Sequence, residues 1–456
     1  MTSEQAPTGG FARGVSVVGD RPPVDGRPTR VAGDLSPATA DEAPAAGVWA
    51  LDPSVTFLNH GSFGACPRAV LDAQRRWRDR MEAEPVRFLA IELEELLTAA
   101  RTTLGAFVGA DPDDLAFVPN ATAGVNTVLR SLRFAPGDEL LTTDHEYNAS
   151  LNALRFAARR DGARVVLARV PFPVADPGAA VEAVLAAVTP RTRLALLDHV
   201  TSPTALLLPI GELVRELDRH GVDTLVDGAH GPGMVPLDLD ALGAAYYTGN
   251  CHKWLCAPKG SAFLHVRRDR QGGIRPLAIS HGASATRTDR SRFRLEFDWT
   301  GTVDPTAWLS VPDAIVTVGA LAAGGWPAVM VANHELAVAA RELLCAALSV
   351  EPPAPDRMLG AMAAVPLPLT PGPIGEQASR ALALESRLRD RGVEVPVVPW
   401  PAPWLVDADD LTAQTRGGLL VRVSAQRYNR LEQYARLAET LRAVLAVADC
   451  TVADRH

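Results

Sequence analysis

Between residues 115 and 266, short apolar and β-branched runs recur with helix-like stretches among them. The runs are Leu115–Val118, Glu139–Thr142, Arg164–Arg169, Arg193–Leu197, Thr224–Val226, Ala244–Tyr247 and Ala262–Val266. Strand, helix, strand at this spacing predicts an α/β protein, a mostly parallel sheet with helices on both faces. Helical patterns also precede the first run: Arg68–Glu82, opened by Pro67, and Ile91–Phe107; a third, Ala123–Leu132, follows it.

The ends of the chain read differently. Residues 1–47 are dominated by Pro, Gly, Ala, Ser, Thr and charged side chains, too little apolar surface to offset ordering entropy, so a flexible tail is expected. Order is expected from Trp49, with the apolar run Val55–Leu58. The chain turns helical and alanine-rich over Pro312–Ala347, then Pro-rich over Pro352–Pro373, a stretch that is a candidate for shaping a site entrance. The composition shift predicts a large domain over 48–330, with 48–80 partly packing on a smaller α+β domain over 331–456. There is no internal repeat.

Several function classes drop out. Lys and Arg number 45 against 53 Asp and Glu, a net charge of −8, so no basic field exists for nucleic acid. The cysteines Cys66, Cys251, Cys256, Cys345 and Cys450 form no C-x-x-C pair, and the ten histidines show no H-x-x-x-H spacing, so no metal site is expected. Gly61, Gly64 and Gly124 do not make a dinucleotide fingerprint. Without a secretory leader pattern or a run of about 20 apolar residues, the chain is expected in the cytoplasm and not in a membrane.

Only two lysines occur, Lys253 and Lys259; the other 43 cationic side chains are arginine. Chemistry that needs an amine therefore has two candidates. Lys253 follows a strand and is flanked by Trp254, Leu255 and Cys256, apolar company that lowers an amine's pKa from about 10.4 and suits Schiff-base chemistry. Lys259, in the turn Pro258-Lys-Gly260, reads as structural or exposed. Asp227, in Leu225-Val-Asp-Gly-Ala-His230, falls at the carboxyl end of a strand, where open parallel sheets bind ligands.

The run Tyr247-Thr-Gly-Asn-Cys-His-Lys-Trp-Leu-Cys-Ala-Pro-Lys-Gly-Ser-Ala-Phe263 resembles the cofactor-lysine segment of class V aminotransferase-fold enzymes, nearest the isopenicillin N epimerase-like group. Further stretches appear in that family's order over roughly residues 50–445. They are Phe57–Gly64, Asn120–Gly124, Asp144–Ala149, His199–Thr204, Trp299–Pro305 and Leu420–Ser424. The resemblance implies fold-type I: a mostly parallel seven-stranded sheet in the large domain and a smaller α+β C-terminal domain. It also implies pyridoxal 5'-phosphate as cofactor and a homodimer with shared active sites.

By resemblance, Lys253 would hold the cofactor's aldehyde and shuttle the α-proton, and Asp227 would pair with the ring nitrogen. His230 and Ser202 fall where the ring hydroxyl is contacted. Ala121 and Thr122, at a helix start, with Asn250 and His252, would hold the phosphate. Thr302 would reach across from a neighbouring subunit. His145 is the first choice for stacking on the ring, with Tyr147 second; either adds a catalytic candidate. Arg422 would fork onto a substrate carboxylate, and Asn59, His60, Ser62 and Arg87 are candidates for lining the substrate pocket.

Several outcomes stay open for an amino-acid-like substrate. They are epimerisation, which needs a second acid or a swinging lysine; β-elimination from a cysteine conjugate; transamination; and decarboxylating oxidative deamination. Removal of the Cα proton, ending in epimerisation or β-elimination, is the favoured reading. Residues 346–449 hold no cysteine, which argues against persulfide chemistry, and intact Lys253 and Asp227 argue against a non-catalytic binding protein.

Overall fold

The structure, a computed structural model, describes residues 47–405 and 416–453. Apart from Gly47, the expected N-terminal tail lies outside them. Seven strands form the central sheet: β1 (Leu115–Val118), β2 (Glu139–Thr143), β3 (Arg164–Ala168), β4 (Thr192–Asp198), β5 (Asp223–Asp227), β6 (Tyr246–Asn250) and β7 (Ala262–Val266). Their order is β1-β7-β6-β5-β4-β2-β3. Only β7 runs against its neighbours β1 and β6; the other pairs are parallel.

Both faces are covered, which explains why the strands read as apolar runs. Leu194 and Leu196 of β4 pack with Val125, Leu129 and Leu154 from α2 (Ala121–Ser131) and α3 (Asn148–Asp161). Ala195 and Leu197, pointing the other way, pack with Leu97 and Leu104 of α1 (Leu93–Val108) and with Leu213 and Leu217 of α4 (Ile210–Arg219).

A second core lies around an antiparallel sheet of β8 (Met362–Pro366), β9 (Val397–Trp400) and β10 (Arg416–Ser424), with the two-residue strand Gly372–Pro373. Helices α5 (Gly325–Leu348), α6 (Ile374–Arg389) and α7 (Leu431–Ala453) cover it through Leu344, Leu384 and Leu441. The N-terminal segment joins this layer: Thr56–Phe57 pairs in parallel with Val393–Glu394, and Ser424 N–H donates to the Leu58 carbonyl at 2.9 Å.

Three elements differ from the sequence reading. The expected strand Ala244–Tyr247 runs instead over Tyr246–Asn250, and at Gly249 the Pro232 and Phe263 rings lie 2.6 and 2.8 Å from where a Cβ would be. The helical region over 312–347 is broken into Val311–Gly319 and α5, and the break carries Gly324 and Gly325, the latter at φ 66°. The Pro-rich stretch hides buried β8, so it builds core; Pro396 to Pro399 line a cavity instead. Among the described residues no helix is long and apolar enough to cross a membrane.

Candidate active site

Strands β4, β5 and β6 end together at the carboxyl edge of the sheet, and a cavity of about 330 Å³ opens there. Lys253 lies three residues beyond β6, partly accessible from the cavity. Gly64 lets residues 60–64 pass directly against this loop: its φ is 72°, and a Cβ would sit 2.1 Å from the His252 carbonyl oxygen. Lys259 ties the same two segments, donating to the Gly64 carbonyl at 2.8 Å. It is structural, as its turn suggested.

The surroundings of Lys253 define its protonation. The Lys253 Nζ lies 3.2 Å from His230 Nε2, and the Trp254 indole N–H donates to His230 Nδ1 at 3.2 Å. An indole N–H can only donate, so Nδ1 is the bare nitrogen and the ring hydrogen resides on Nε2. That hydrogen points at an amine able to accept it only when uncharged. Burial, then the Arg422 charge, bring the Lys253 amine down to about 8, while Asp227 and Asp198 act the other way. Burial, then the Lys253 charge, keep His230 well below its ordinary value.

Asp227 ends β5 and is buried. Ser150 donates its hydroxyl to Oδ2 at 2.7 Å and the Ala229 N–H donates to Oδ1 at 3.1 Å. Burial still raises its pKa, with these bonds opposing. Two further buried carboxyls, Glu146 and Asp198, stand close: one oxygen from each of the three lies within 4.8 Å of the others. Sequence reasoning passed over both. Asp198 repeats the pattern that drew attention to Asp227, an aspartate closing an apolar strand, but that β4 lies beside β5 is a long-range fact.

At the other end of the cavity, α2 begins with Asn120 as its cap, accepting from the Ala123 N–H at 2.8 Å. The Ala121 N–H is committed to Asn250 Oδ1 at 2.9 Å, so Ala121 is not a free donor and Asn250 offers the cavity its amide nitrogen. The Thr122 N–H and hydroxyl have no partner among the described residues. His252 holds the Ser261 carbonyl through Nδ1 at 2.9 Å, leaving Nε2 as its other ring nitrogen.

A second chamber of about 430 Å³ shares Ser62, Phe63, Tyr147, Ser202 and Lys253 with the first. Arg422, on β10, lines it and is buried. Its Nη1 donates to the Ser202 carbonyl at 2.7 Å and hydroxyl at 3.1 Å, and its Nη2 to the Ser62 hydroxyl at 3.0 Å. Ser62 in turn donates to Asn59 Oδ1 at 2.5 Å. Arg422 Nε has no partner, and no carboxylate pairs with the guanidinium among the described residues. Burial holds its pKa down at about 10.

Five expected residues line neither chamber; Asn59 stands behind Ser62, accepting from its hydroxyl. His145 lines neither chamber: its ring is fully buried, bonded to Thr204 Oγ1 at 2.6 Å and the Val170 carbonyl at 3.0 Å, with the Trp400 ring 4.4 Å away. The turn into α3 aims it at the core while Tyr147, two residues on, faces the cavity. His60 sits behind Lys253, its Nδ1 on the Tyr428 hydroxyl at 2.8 Å and its Nε2 on the Lys253 carbonyl at 3.0 Å. Arg87 is exposed and paired with Glu92 and Glu84. Thr302 lies exposed in a turn outside both chambers.

The profile of the aminotransferase class-V family matches residues 58–351. An isopenicillin N epimerase from Amycolatopsis lactamdurans is 40% identical over 406 residues, covering 86% of this chain and 96% of that protein. A probable chloroplastic L-cysteine desulfhydrase from Arabidopsis thaliana is 33% identical, covering 86% and 83%. Among solved structures, the cystine C–S lyase C-DES, in complex with its product cysteine persulfide, superposes with a TM-score of 0.68 at 21% identity, covering 85% of this chain and 97% of that one. At that identity the likeness is one of fold.

Proposed function

The chain belongs to the aminotransferase class-V family and is a pyridoxal-phosphate-dependent enzyme of epimerase or lyase type, and on that premise we propose that it removes the Cα proton of an amino-acid substrate held by its carboxylate on Arg422. The observation that carries the proposal is the relation of Arg422 to Lys253. A buried guanidinium with no carboxylate in ion-pair contact among the described residues, Glu385 acting on it only across the chamber, stands beside an amine whose pKa is lowered to about 8. A buried cation left unpaired is costly, and a substrate carboxylate supplies the missing charge.

The donor set fits the cofactor. The unpartnered Thr122 N–H and hydroxyl open the first turn of an 11-residue helix, where the macrodipole favours a phosphate. Asn250 Nδ2 adds a donor there; His252 adds one through Nε2 only when its ring takes up a proton beside the anion. Asp227 supplies a carboxyl for the ring nitrogen, and Tyr147 and Ala229 supply walls for the ring. When bound, pyridoxal phosphate supplies an electron-poor ring that accepts the pair left when a bond to Cα breaks.

In this reading Lys253 holds the cofactor, then serves as the base at Cα. His230 would present its Nε2–H to the cofactor's ring hydroxyl, and Ser202 and Ser62 hold the Arg422 fork for the carboxylate. Tyr147, lining both chambers, is the candidate second acid, so epimerisation is the first reading. β-Elimination from a cysteine conjugate is the second, favoured by the desulfhydrase relative. Transamination is a further outcome of the same proton removal; decarboxylating oxidative deamination is the alternative in which the bond from Cα to the carboxylate breaks instead and dioxygen serves as the oxidant. Secondary metabolism is the proposed setting.

Homodimerisation is proposed from exposed apolar side chains near Thr302 in the sequence and elsewhere: Val303, Leu277, Ile279, Val86 and Ile91. The lobes proposed are 48–330 and 331–456. Free thiols at Cys66, Cys251, Cys256 and Cys345 fit a reducing compartment, the cytoplasm.

Incubation with amino acids and cysteine conjugates in deuterated water tests the reading. Deuterium at Cα with the amino acid conserved supports epimerisation, and pyruvate supports elimination. Absence of both exchange and product across α-amino acids overturns the assignment.

A further inference from the structure

The carboxyl cluster holds more acid than one ring nitrogen requires. Asp198 and Asp227 close adjacent parallel strands and are register partners, so their side chains leave the sheet on the same side. Both line the cavity. Their satisfaction differs. Asp227 accepts from Ser150 and Ala229, and Glu146 accepts from the Thr142 hydroxyl at 2.9 Å and the Tyr147 N–H at 3.0 Å. Asp198 Oδ2 is buried without a hydrogen-bond partner among the described residues, the nearby Tyr147 N–H being bonded to Glu146, and the residue is 3% exposed.

An ionised carboxylate oxygen buried without a donor is costly, whereas a carboxylic acid there carries its own hydrogen toward a neighbouring oxygen. The groups facing Asp198 are Glu146, Asp227, Lys253 and the Tyr147 N–H. Behind Asp227 stands the Tyr247 phenol, bonded to His199 Nδ1 at 2.9 Å. Lys253 is the only cation among these, one positive charge at most against three carboxyls. Three carboxyls thus share a pocket with at most one amine charge to balance them, the situation in which close carboxyls keep a proton among them.

We propose that Asp198 stores a proton in the cofactor-free protein and yields it when a heteroaromatic nitrogen docks against Asp227. The proposal rests on the cofactor reading above and adds a role for a residue outside it. The balance is simple. If the ring arrives unprotonated, the Asp198 proton passes to its nitrogen and none enters solvent. If it arrives protonated, the Asp198 proton leaves to solvent. In both cases the ring ends as a cation against two carboxylates. A protein lacking the store must draw a proton from solvent in the first case and releases none in the second. The native protein therefore releases about one proton per site more, or takes up about one fewer, than a variant without the Asp198 acid.

Calorimetric titration of the cofactor-free full-length protein with pyridoxal 5'-phosphate, in buffers of different ionisation enthalpy, counts these protons without reference to turnover. Asp198→Asn keeps the shape of the side chain and should shift the count by about one proton per site. Glu146→Gln, whose native oxygens are already bonded, should match the native count. An unchanged count in Asp198→Asn with cofactor still bound overturns the proposal and leaves the cofactor reading intact. So does a shift produced by Glu146→Gln instead. Failure of the native protein to bind the cofactor overturns both. If Asp198→Asn does not fold, Asp198→Ser, with room for a water at the vacated oxygen, is read the same way.

Discussion

The indole N–H of Trp254 is directed at His230 Nδ1 across 3.2 Å, and this decides which nitrogen of that histidine carries hydrogen. Two residues adjacent in sequence, Lys253 and Trp254, thereby approach the same imidazole from its two nitrogens. His60 backs the arrangement, its ring centroid 4.8 Å from that of Trp254 and its Nε2 on the Lys253 carbonyl.

The rate at which cofactor-free protein captures pyridoxal phosphate should follow the uncharged amine, rising through about pH 8 rather than near 10. Trp254→Phe releases the His230 tautomer and should move that inflection upward. Arg422→Met should also move it upward, because the Arg422 charge is the second cause of the depression after burial. Stopped-flow absorbance against pH reads all three. A native inflection near 10, or no movement in Trp254→Phe, contradicts the tautomer argument.

Borohydride treatment of the loaded protein should leave the cofactor's mass on the peptide carrying Lys253. Lys253→Ala should lose this label, the visible absorption band and turnover. Lys259→Ala should keep the label and lose roughly the 0.5–1.5 kcal/mol of one hydrogen bond, since its amine serves the Gly64 carbonyl. With only two lysines to distinguish, peptide mass spectrometry gives an unambiguous answer.

Arg422→Met should weaken binding of carboxylate substrates by roughly 1.5–3 kcal/mol, the range of a hydrogen bond to a charged group, seen mainly in KM. It should not lower Tm, because an apolar side chain replaces a buried cation that has no carboxylate partner. A KM unchanged by the substitution would mean that the substrate carboxylate binds elsewhere. A large fall in Tm would mean that the serine contacts of Arg422 outweigh its desolvation.

The cofactor-free protein should lose stability as pH rises above the ordinary carboxylate range. Burial raises Glu146, Asp198 and Asp227, and the charge of neighbouring carboxylates adds to it for Glu146 and Asp198. A group whose folded pKa is raised binds more protons folded than unfolded, so its stabilisation is complete at low pH and is lost as pH climbs through the folded value. Glu146→Gln should flatten this decline, measured as Tm against pH beside the native protein. Equal slopes would mean that the Glu146 carboxyl takes no part in the linkage.

Local pattern made part of the site legible. Lys253 and Asp227 stand at strand ends that apolar runs announce, and the cap Asn120 with Thr122 opens a helix by ordinary capping rules. Arg422 was legible only through its flanking residues. Two of the histidines were not: His145 and His60 lie in the quoted motifs, yet one turn of backbone aims the first into the core and the second behind the loop that bears Lys253.

What the sequence determined by itself was the order of apolar runs and helices, hence a parallel sheet with a ligand edge and one amine beside it, because those follow from interactions within a few residues. Tertiary structure decided which acids share a pocket. Asp198 meets Asp227 because β4 pairs with β5, and Glu146 joins them from the turn after β2. It likewise brought Arg422 of the C-terminal sheet onto Ser62 and Ser202. Proton sharing and charge pairing depend on distances of a few ångströms between groups far apart along the chain, and only folding fixes those.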